Sequence, residues 1–200
     1  MKIFFVRHGE TDWNKSGFLQ GQTDIPLNKK GREQSETLSI KLEKKKINLI
    51  FSSPLIRSIE TANKVACRFN QGIICSNLLT ERHFGILEGE KIEELKKSSR
   101  KKKILEKSAT ANYKPETGES LFEVNQRIFK FLKVLDSLEQ RQTILCITHG
   151  GVLDLLYRIA INKEIYSPRK WKIPNAKVNI FNYSNKKLIV EKWAGNDILD

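Results

Sequence analysis

Disulfide frameworks, membrane spans and metal motifs are all absent from this chain. Its three cysteines, Cys67, Cys75 and Cys146, form no CxxC pair and are odd in number. That excludes a stapled secreted scaffold, and their apolar neighbours predict buried thiols in a reducing cytoplasm. Met1 and Lys2 precede only Ile3-Phe4-Phe5-Val6 before Arg7. This run is too short for a secretory h-region and far below the roughly 20 residues of a membrane span, so a cytoplasmic protein without membrane association is expected. No HExxH and no carboxylate cluster at metal-ligand spacing occurs, so the expected site holds no metal and no cofactor. Internal repeats and linkers are missing, which favours one domain over residues 1–200. No heptad or apolar stripe declares a partner, which leaves the oligomeric state open.

What is abundant is positive charge. The formal net charge is +13, with basic runs at Lys29-Lys30, Lys44-Lys45-Lys46, Lys96-Lys97 and Arg100-Lys101-Lys102-Lys103. Aromatic residues do not interleave with these runs as a base-stacking groove requires, and no nucleic-acid motif accompanies them. The expected partner is therefore a small anionic substrate drawn in by a positive field, with no specific nucleic acid.

A hydrophobic content of 39% in 200 residues suits a single sizeable core. Strand-like and helix-like runs alternate, which predicts an α/β domain. Residues 2–7 read as a buried strand and 8–27 as a loop. Asn28 can cap a helix to about residue 45 with Gly31, Ser35, Leu38 and Leu42 inward. Residues 48–52 read as a second strand. Ser53-Pro54 then opens a helix striped by Leu55, Ile59, Ala62, Ala66 and Phe69. Residues 73–79 read as a third strand. The charged stretch 91–114, helical in pieces, falls within a candidate lid over 91–119. Ser120 and Glu123 form a capping box for a helix whose Leu121, Ile128, Phe131 or Leu132, Leu135 and Leu138 face inward. A strand over 143–148, a helix over 151–161 and a closing hairpin over 178–193 complete the chain.

Two of the three histidines share one setting. Arg7-His8-Gly9 follows the run Ile3–Val6, and His149-Gly150 follows Ile144-Leu145-Cys146-Ile147. Each lies at the C-terminal edge of an expected strand, where reactive groups converge in open α/β sheets. Two imidazoles there, beside an arginine that grips phosphate as a fork, point to histidine-based phosphoryl transfer.

Arg7-His8-Gly9-Glu10-Thr11, Trp13-Asn14, Gln20-Gly21, Asp24-Ile25-Pro26-Leu27, Gly31 and Gln34 resemble the N-terminal signature of the histidine phosphatase (phosphoglycerate mutase-like) superfamily. Further blocks resemble it in family order: Ser52-Ser53-Pro54-Leu55 with Arg57-Ser58 and Thr61-Ala62, Glu81-Arg82 with Gly85 and Glu88-Gly89, Gly118-Glu119-Ser120, and Thr148-His149-Gly150-Gly151. The resemblance implies a three-layer fold with a mostly parallel sheet, helices on both faces and a C-terminal hairpin.

For the site, the resemblance implies His8 as a nucleophile that becomes phosphohistidine, Arg7 and Arg57 as a phosphoryl clamp, and His149 as a further donor. Asn14 and Gln20 match amide donors to phosphate, Gly21 and Gly150 fall in the same binding blocks, and Glu81 matches the general acid. His83 is either at the substrate mouth or structural. The implied reaction is phosphomonoester hydrolysis. The lack of an arginine pair between Ser108 and Ser120 and the Gly150-Gly151 pair favour that reading. Glu81-Arg82-His83-Phe84-Gly85 resembles the mutase form and keeps a cofactor-dependent phosphoglycerate mutase as the alternative. A non-catalytic binding module or a basic nucleic-acid-binding protein fits less well, because His8, Arg57 and Glu81 are all present.

Overall fold

β-branched and aromatic runs form the strands, and the alternation of side chains along them divides the core into two layers. The computed structural model describes residues 1–194 and 196–197. Its sheet contains β1 (Lys2–Arg7), β2 (Leu49–Ser52), β3 (Ile73–Cys75), β4 (Thr143–Thr148), β5 (Val178–Ser184), β6 (Lys187–Trp193) and β7 (Asn196–Asp197), in the order β3-β2-β4-β1-β5-β6-β7. The strands β3, β2, β4 and β1 run parallel; β5, β6 and β7 extend the sheet antiparallel. The β5–β6 turn places Asn185 and Lys186 at φ 49° and 61°, the left-handed pair that a tight hairpin requires.

Helices cover both faces. Phe4 and Val6 of β1 pack with Leu38 and Leu42 of α2 (Lys29–Leu42) and Ala62 and Val65 of α3 (Ile56–Phe69), naming α1 the short helix Asp12–Ser16 that precedes them. Ile3 and Phe5 point the other way. They join Ile128, Phe131 and Leu135, which lie on a helix over Leu121–Asp136, and Leu153 and Leu156, on a helix over Gly150–Ala160. Two further helices, α4 (Ile92–Lys97) and α5 (Ser99–Lys107), come before these in the chain, so the covering pair is α6 and α7. This is the expected α/β fold.

The differences from expectation have local causes. Residues 8–27 are not all loop: Thr11 and Asn14 form a reciprocal capping box that starts α1, and Gly17 at φ 74° ends it. Helix α2 stops at Leu42, three residues short of the expected end. Helix α3 starts at Ile56 rather than at Ser53-Pro54, because Asp24 Oδ1 accepts from Ile56 N–H at 2.7 Å. Its buried face is Ser58, Thr61, Ala62, Val65 and Ala66, whereas Leu55, Ile59 and Phe69 are only half-buried. Strand β3 ends at Cys75, and Asn77–Leu79 winds as 3-10 helix. Val124 replaces Leu121 and Leu138 in the buried stripe of α6, whose Ser120–Glu123 box forms as expected. Cys146 is buried, but Cys67 and Cys75 are exposed: they fall on the outer face of α3 and at the end of the edge strand.

Gly31 holds the β1–α1 loop against α2. A Cβ at this position would lie 2.1 Å from the Glu10 carbonyl oxygen, so the two backbones touch where His8-Gly9-Glu10 turns over the helix. Alanine is about 1 kcal/mol better than glycine in a helix interior, yet Gly31→Ala is expected to destabilise the protein by about 1–3 kcal/mol through this clash. Urea unfolding checks it; a higher midpoint in the variant would show that the contact is slack.

Candidate active site

Strands β1 and β4 pair in parallel with Arg7 opposite Thr148. The next residue on each is a histidine, and His8 N–H donates to the Thr148 carbonyl at 3.0 Å. After β1 the chain leaves toward the α2–α3 face, and after β4 toward the α6–α7 face. The two imidazoles therefore sit where neighbouring strands part, the crevice in which open α/β sheets bind ligands. Their ring centroids are 5.1 Å apart.

His8 is held in one tautomer. Its Nδ1 is 2.7 Å from the Gly9 carbonyl oxygen, and a carbonyl only accepts, so Nδ1 carries the proton and Nε2 keeps its lone pair. Gly9 N–H donates to Thr61 Oγ1 and Asn175 Nδ2 to the His8 carbonyl, which fixes the turn. Burial above all, then the charges of Arg7 and Arg57, holds the His8 imidazole well below the ordinary histidine value. Burial likewise depresses His149, with Arg57 the next cause. His149 is fully buried behind the cleft wall, its Nε2 2.7 Å from Ser53 Oγ and 3.3 Å from Ser58 Oγ. The Ser53 hydroxyl, expected to cap α3, accepts from Leu55 N–H at 3.4 Å and also orients this ring.

A cleft of about 420 Å³ opens above His8 and is lined by Arg7, Asn14, Gln20, Gly21, Arg57, Glu81 and Gly150 among others. Arg57, only 1% exposed, donates from Nη1 to the Thr23 carbonyl and from Nη2 to the Gly21 carbonyl. Arg7 donates from Nη1 to the Ile173 carbonyl. Burial lowers both guanidinium groups from the ordinary arginine value and the Glu81 charge raises them; a guanidinium keeps its proton in proteins. Asn14 Oδ1 accepts from Thr11 N–H and Asn175 Nδ2, and Gln20 Oε1 accepts from the Thr11 hydroxyl. In both amides the oxygen is occupied and the NH2 end is left to donate.

Glu81 is the one acidic side chain lining the cleft among the described residues. Its Oε2 accepts from Gly151 N–H at 3.0 Å, at the N-terminus of α7, and its Oε1 from Arg82 N–H at 2.9 Å. A Cβ on residue 151 would lie 2.4 Å from Glu81 Oε1, so the carboxylate can reach this helix end only over glycine. Buried Arg7 Nε, Arg57 Nε and His149 Nδ1 have no hydrogen-bond partner among the described residues. Each unmet buried donor costs about 1–3 kcal/mol, and an anion with several acceptor oxygens would satisfy such a set.

His83 falls outside the cleft. Its Nδ1 accepts from Gly85 N–H and lies 3.4 Å from Glu88 Oε1, a loop-ordering position. The sequence reading missed the cleft walls Phe18, Leu19, Phe84, Ile92 and Ile173, and Arg169 at the mouth. It also missed the scaffold that aims Glu81. Arg127 donates to the carbonyls of Leu78, Thr80 and Glu81 and to Glu119, while Glu88 accepts from the backbone N–H groups of Gln22, Thr23 and Phe84. Glu88 and Glu119 lay within motif blocks, the only signal available; Arg127, Arg169 and Ile173 had none. Among the described residues no cluster of three or more His, Cys, Asp or Glu has metal-binding geometry, and no helix is long and apolar enough to cross a membrane.

Fold and site together define an α/β protein with a neutral imidazole in a cleft beside two buried guanidinium groups. The chain belongs to the histidine phosphatase superfamily (branch 1), whose sequence model matches residues 3–196. It is 34% identical to phosphoglycerate mutase-like protein 4 of Arabidopsis thaliana over 96% of this chain and 84% of that protein. Its fold is similar to that of phosphoserine phosphatase from Entamoeba histolytica, solved in complex with 3-phosphoglyceric acid, at TM-score 0.82 and 27% identity over 96% and 95% of the two chains. Mycobacterial glucosyl-3-phosphoglycerate phosphatase superposes at TM-score 0.87 with 24% identity, over 98% and 99%.

The depressed histidines carry a sign for stability. Both are neutral when folded, whereas in the unfolded chain each takes a proton near pH about 6.5. Their contribution is therefore full above that value and is lost as the pH falls below it toward the folded values. His8→Gln is expected to flatten the fall of the urea midpoint between about pH 7.5 and about pH 5.5. Equal falls in wild type and variant would place the acid sensitivity elsewhere.

Proposed function

We propose that this protein is a phosphomonoesterase that passes the phosphoryl group of a small phosphorylated metabolite to His8 and then to water. The observation that carries the reading is the lone pair of His8 Nε2, fixed by the Nδ1–Gly9 bond, facing a cleft beside buried and unpartnered Arg7, Arg57 and His149 nitrogens. In the first step Nε2 attacks phosphorus, the ester P–O bond breaks, and the leaving oxygen takes a proton from Glu81, the one carboxyl lining the cleft among the described residues. In the second step Glu81 takes a proton from water, the water oxygen attacks phosphorus, and the N–P bond breaks to release inorganic phosphate. Arg7, Arg57, Asn14 and Gln20 donate to the equatorial oxygens, His149 backs them from behind the cleft wall, and the Gly150 end of α7 adds its dipole.

Arginines supply the charge neutralisation in this reading, so the reaction needs no metal. The three free thiols suit a cytoplasmic setting. Residues 91–119 act as a lid: Ile92 walls the cleft, Phe18 bridges to Lys91, and α5 has no buried residue to anchor it.

Phosphatase is favoured over mutase because, among the described residues, Arg169 is the one cation lining the cleft beyond Arg7 and Arg57. None of Arg100 to Lys103 lines it. Lys101 pairs with Glu90, Lys102 with Glu106, and Lys114 with Glu123. The solved relative at 27% identity is a phosphatase by name. The mutase-like relative at 34% identity sustains phosphoglycerate mutase as the second reading.

Purified protein given 3-phosphoglycerate with a trace of 2,3-bisphosphoglycerate, or a panel of phosphomonoesters, is expected to release inorganic phosphate through an acid-labile phosphoenzyme. His8→Ala should lose the label and about a thousandfold or more in turnover. Formation of 2-phosphoglycerate without phosphate release would establish the mutase; label on serine or aspartate would overturn the His8 mechanism. Gly151→Ala, which displaces the Glu81 carboxylate, should lower kcat about 100-fold for alkyl esters. It should have far less effect on p-nitrophenyl phosphate, whose leaving group needs little protonation. An equal loss for both would move the proton donor away from Glu81.

A further inference from the structure

The segment between α7 and β5 returns to the strand end that carries His8. Within it the Ile173 carbonyl accepts from Arg7 Nη1 at 2.8 Å, and Ala176 N–H donates to the Arg7 carbonyl at 2.9 Å. Asn175, between them, donates from Nδ2 to two acceptors, the His8 carbonyl at 2.9 Å and Asn14 Oδ1 at 3.3 Å. Backbone groups settle which way both amides face. The His8 carbonyl only accepts, so the atom of Asn175 beside it is the nitrogen. Thr11 N–H only donates, so Asn14 meets it at 3.2 Å through Oδ1. Asn14 lines the cleft, whereas Asn175 borders a separate recess of about 320 Å³ beside α2. Any effect of Asn175 on a ligand over His8 therefore passes through Asn14 or through the His8 main chain. The backbone is strained where it holds this side chain. Ala176 sits at φ 51°, a left-handed conformation that a residue with a Cβ rarely adopts and that persists only where the surroundings fix it.

We propose that Asn175 is a positioning residue for phosphoryl transfer: its one NH2 group aligns the Asn14 amide and the His8 main chain, so that donor and nucleophile address the same phosphoryl group. The Asn14 arm sets affinity. With its oxygen held by Thr11 and Asn175, the Asn14 NH2 is already oriented for a phosphate oxygen, and no binding energy goes into turning it. The His8 arm sets rate. The Gly9 carbonyl that fixes the His8 tautomer follows the His8 carbonyl by one peptide unit, so a shift of this turn misdirects the lone pair that must point at phosphorus. The proposal rests on the phosphomonoesterase reading above and deepens it.

A double-substitution cycle separates the two arms. Calorimetry with inorganic phosphate measures the first. Turnover of p-nitrophenyl phosphate measures the second, because that ester needs little protonation from Glu81. Asn175→Ala is expected to weaken phosphate binding about tenfold on its own, and by less than about twofold when Asn14→Ala is already present. It should lower kcat about tenfold or more in both backgrounds, since the His8 arm does not depend on Asn14. Asn175→Ser, whose hydroxyl has one hydrogen for two acceptors, should fall between wild type and Asn175→Ala in both measurements. It takes the place of the alanine variant in the cycle if that variant does not fold. A side chain with a purely structural role would lower affinity equally with and without Asn14. That result, or an affinity or a kcat left unchanged by Asn175→Ala, overturns the proposal. A coupled loss of phosphate affinity in a protein that releases phosphate from no ester supports the positioning role and rejects the phosphatase reading instead.

Discussion

The parallel pairing of β1 with β4 is the constraint on which the site depends. Residues far apart in the chain become neighbours through one register, Arg7 opposite Thr148, and the ladder continues one step further through His8 N–H to the Thr148 carbonyl. Because side chains alternate along a strand, a slip of one residue would turn each set of core residues to the opposite face. Ile3 and Phe5 on one face, and Phe4 and Val6 on the other, fit two different helical layers, so the register is held by the whole core. The proximity of the two imidazoles is therefore a consequence of packing spread over both faces of the sheet.

A second physical theme is the way buried charge is handled. Arg57, Arg82 and Arg158 are each at most 4% exposed. Arg57 and Arg82 direct their terminal nitrogens to backbone carbonyls. Carbonyls satisfy the N–H groups without cancelling the charge, so Arg57 keeps its positive field at the cleft. The carboxylates Glu88 and Glu119 serve the opposite purpose: they gather backbone N–H groups from the loops on either side of Glu81. The result is a cleft with Arg7 and Arg57 beside His8, with Glu81 as the one acid among the described residues held at a helix end, and with Phe18, Leu19, Phe84, Ile92 and Ile173 among its walls.

The elements that were legible in the sequence were those with a local cause. Strands β1 and β4, the Asn28 cap, the Ser120–Glu123 box and the closing hairpin each follow from periodicity or from a side chain that meets a backbone group within a few residues. Errors came where a distant residue took the local role. Asp24 accepts from Ile56 N–H at the start of α3, while Ser53 Oγ meets both Leu55 N–H and His149, and no pattern within residues 53–57 records that arrangement. The exposure of Cys67 and Cys75 had the same origin, since apolar neighbours in sequence do not say which face of a helix or edge of a sheet is covered.

What the sequence by itself determined was the α/β alternation, the two His-Gly strand ends and the inventory of groups that can handle phosphate. Each is a property of residue type and short-range spacing. Only the tertiary structure decided which of those groups meet. It placed His83 in a loop and His149 behind the cleft wall, brought in Arg127 and Arg169 from segments without a motif, and fixed the His8 tautomer through Gly9. The reason is that reactivity here depends on which polar atoms are left unpartnered. That is known only after every other hydrogen bond in the fold has been made.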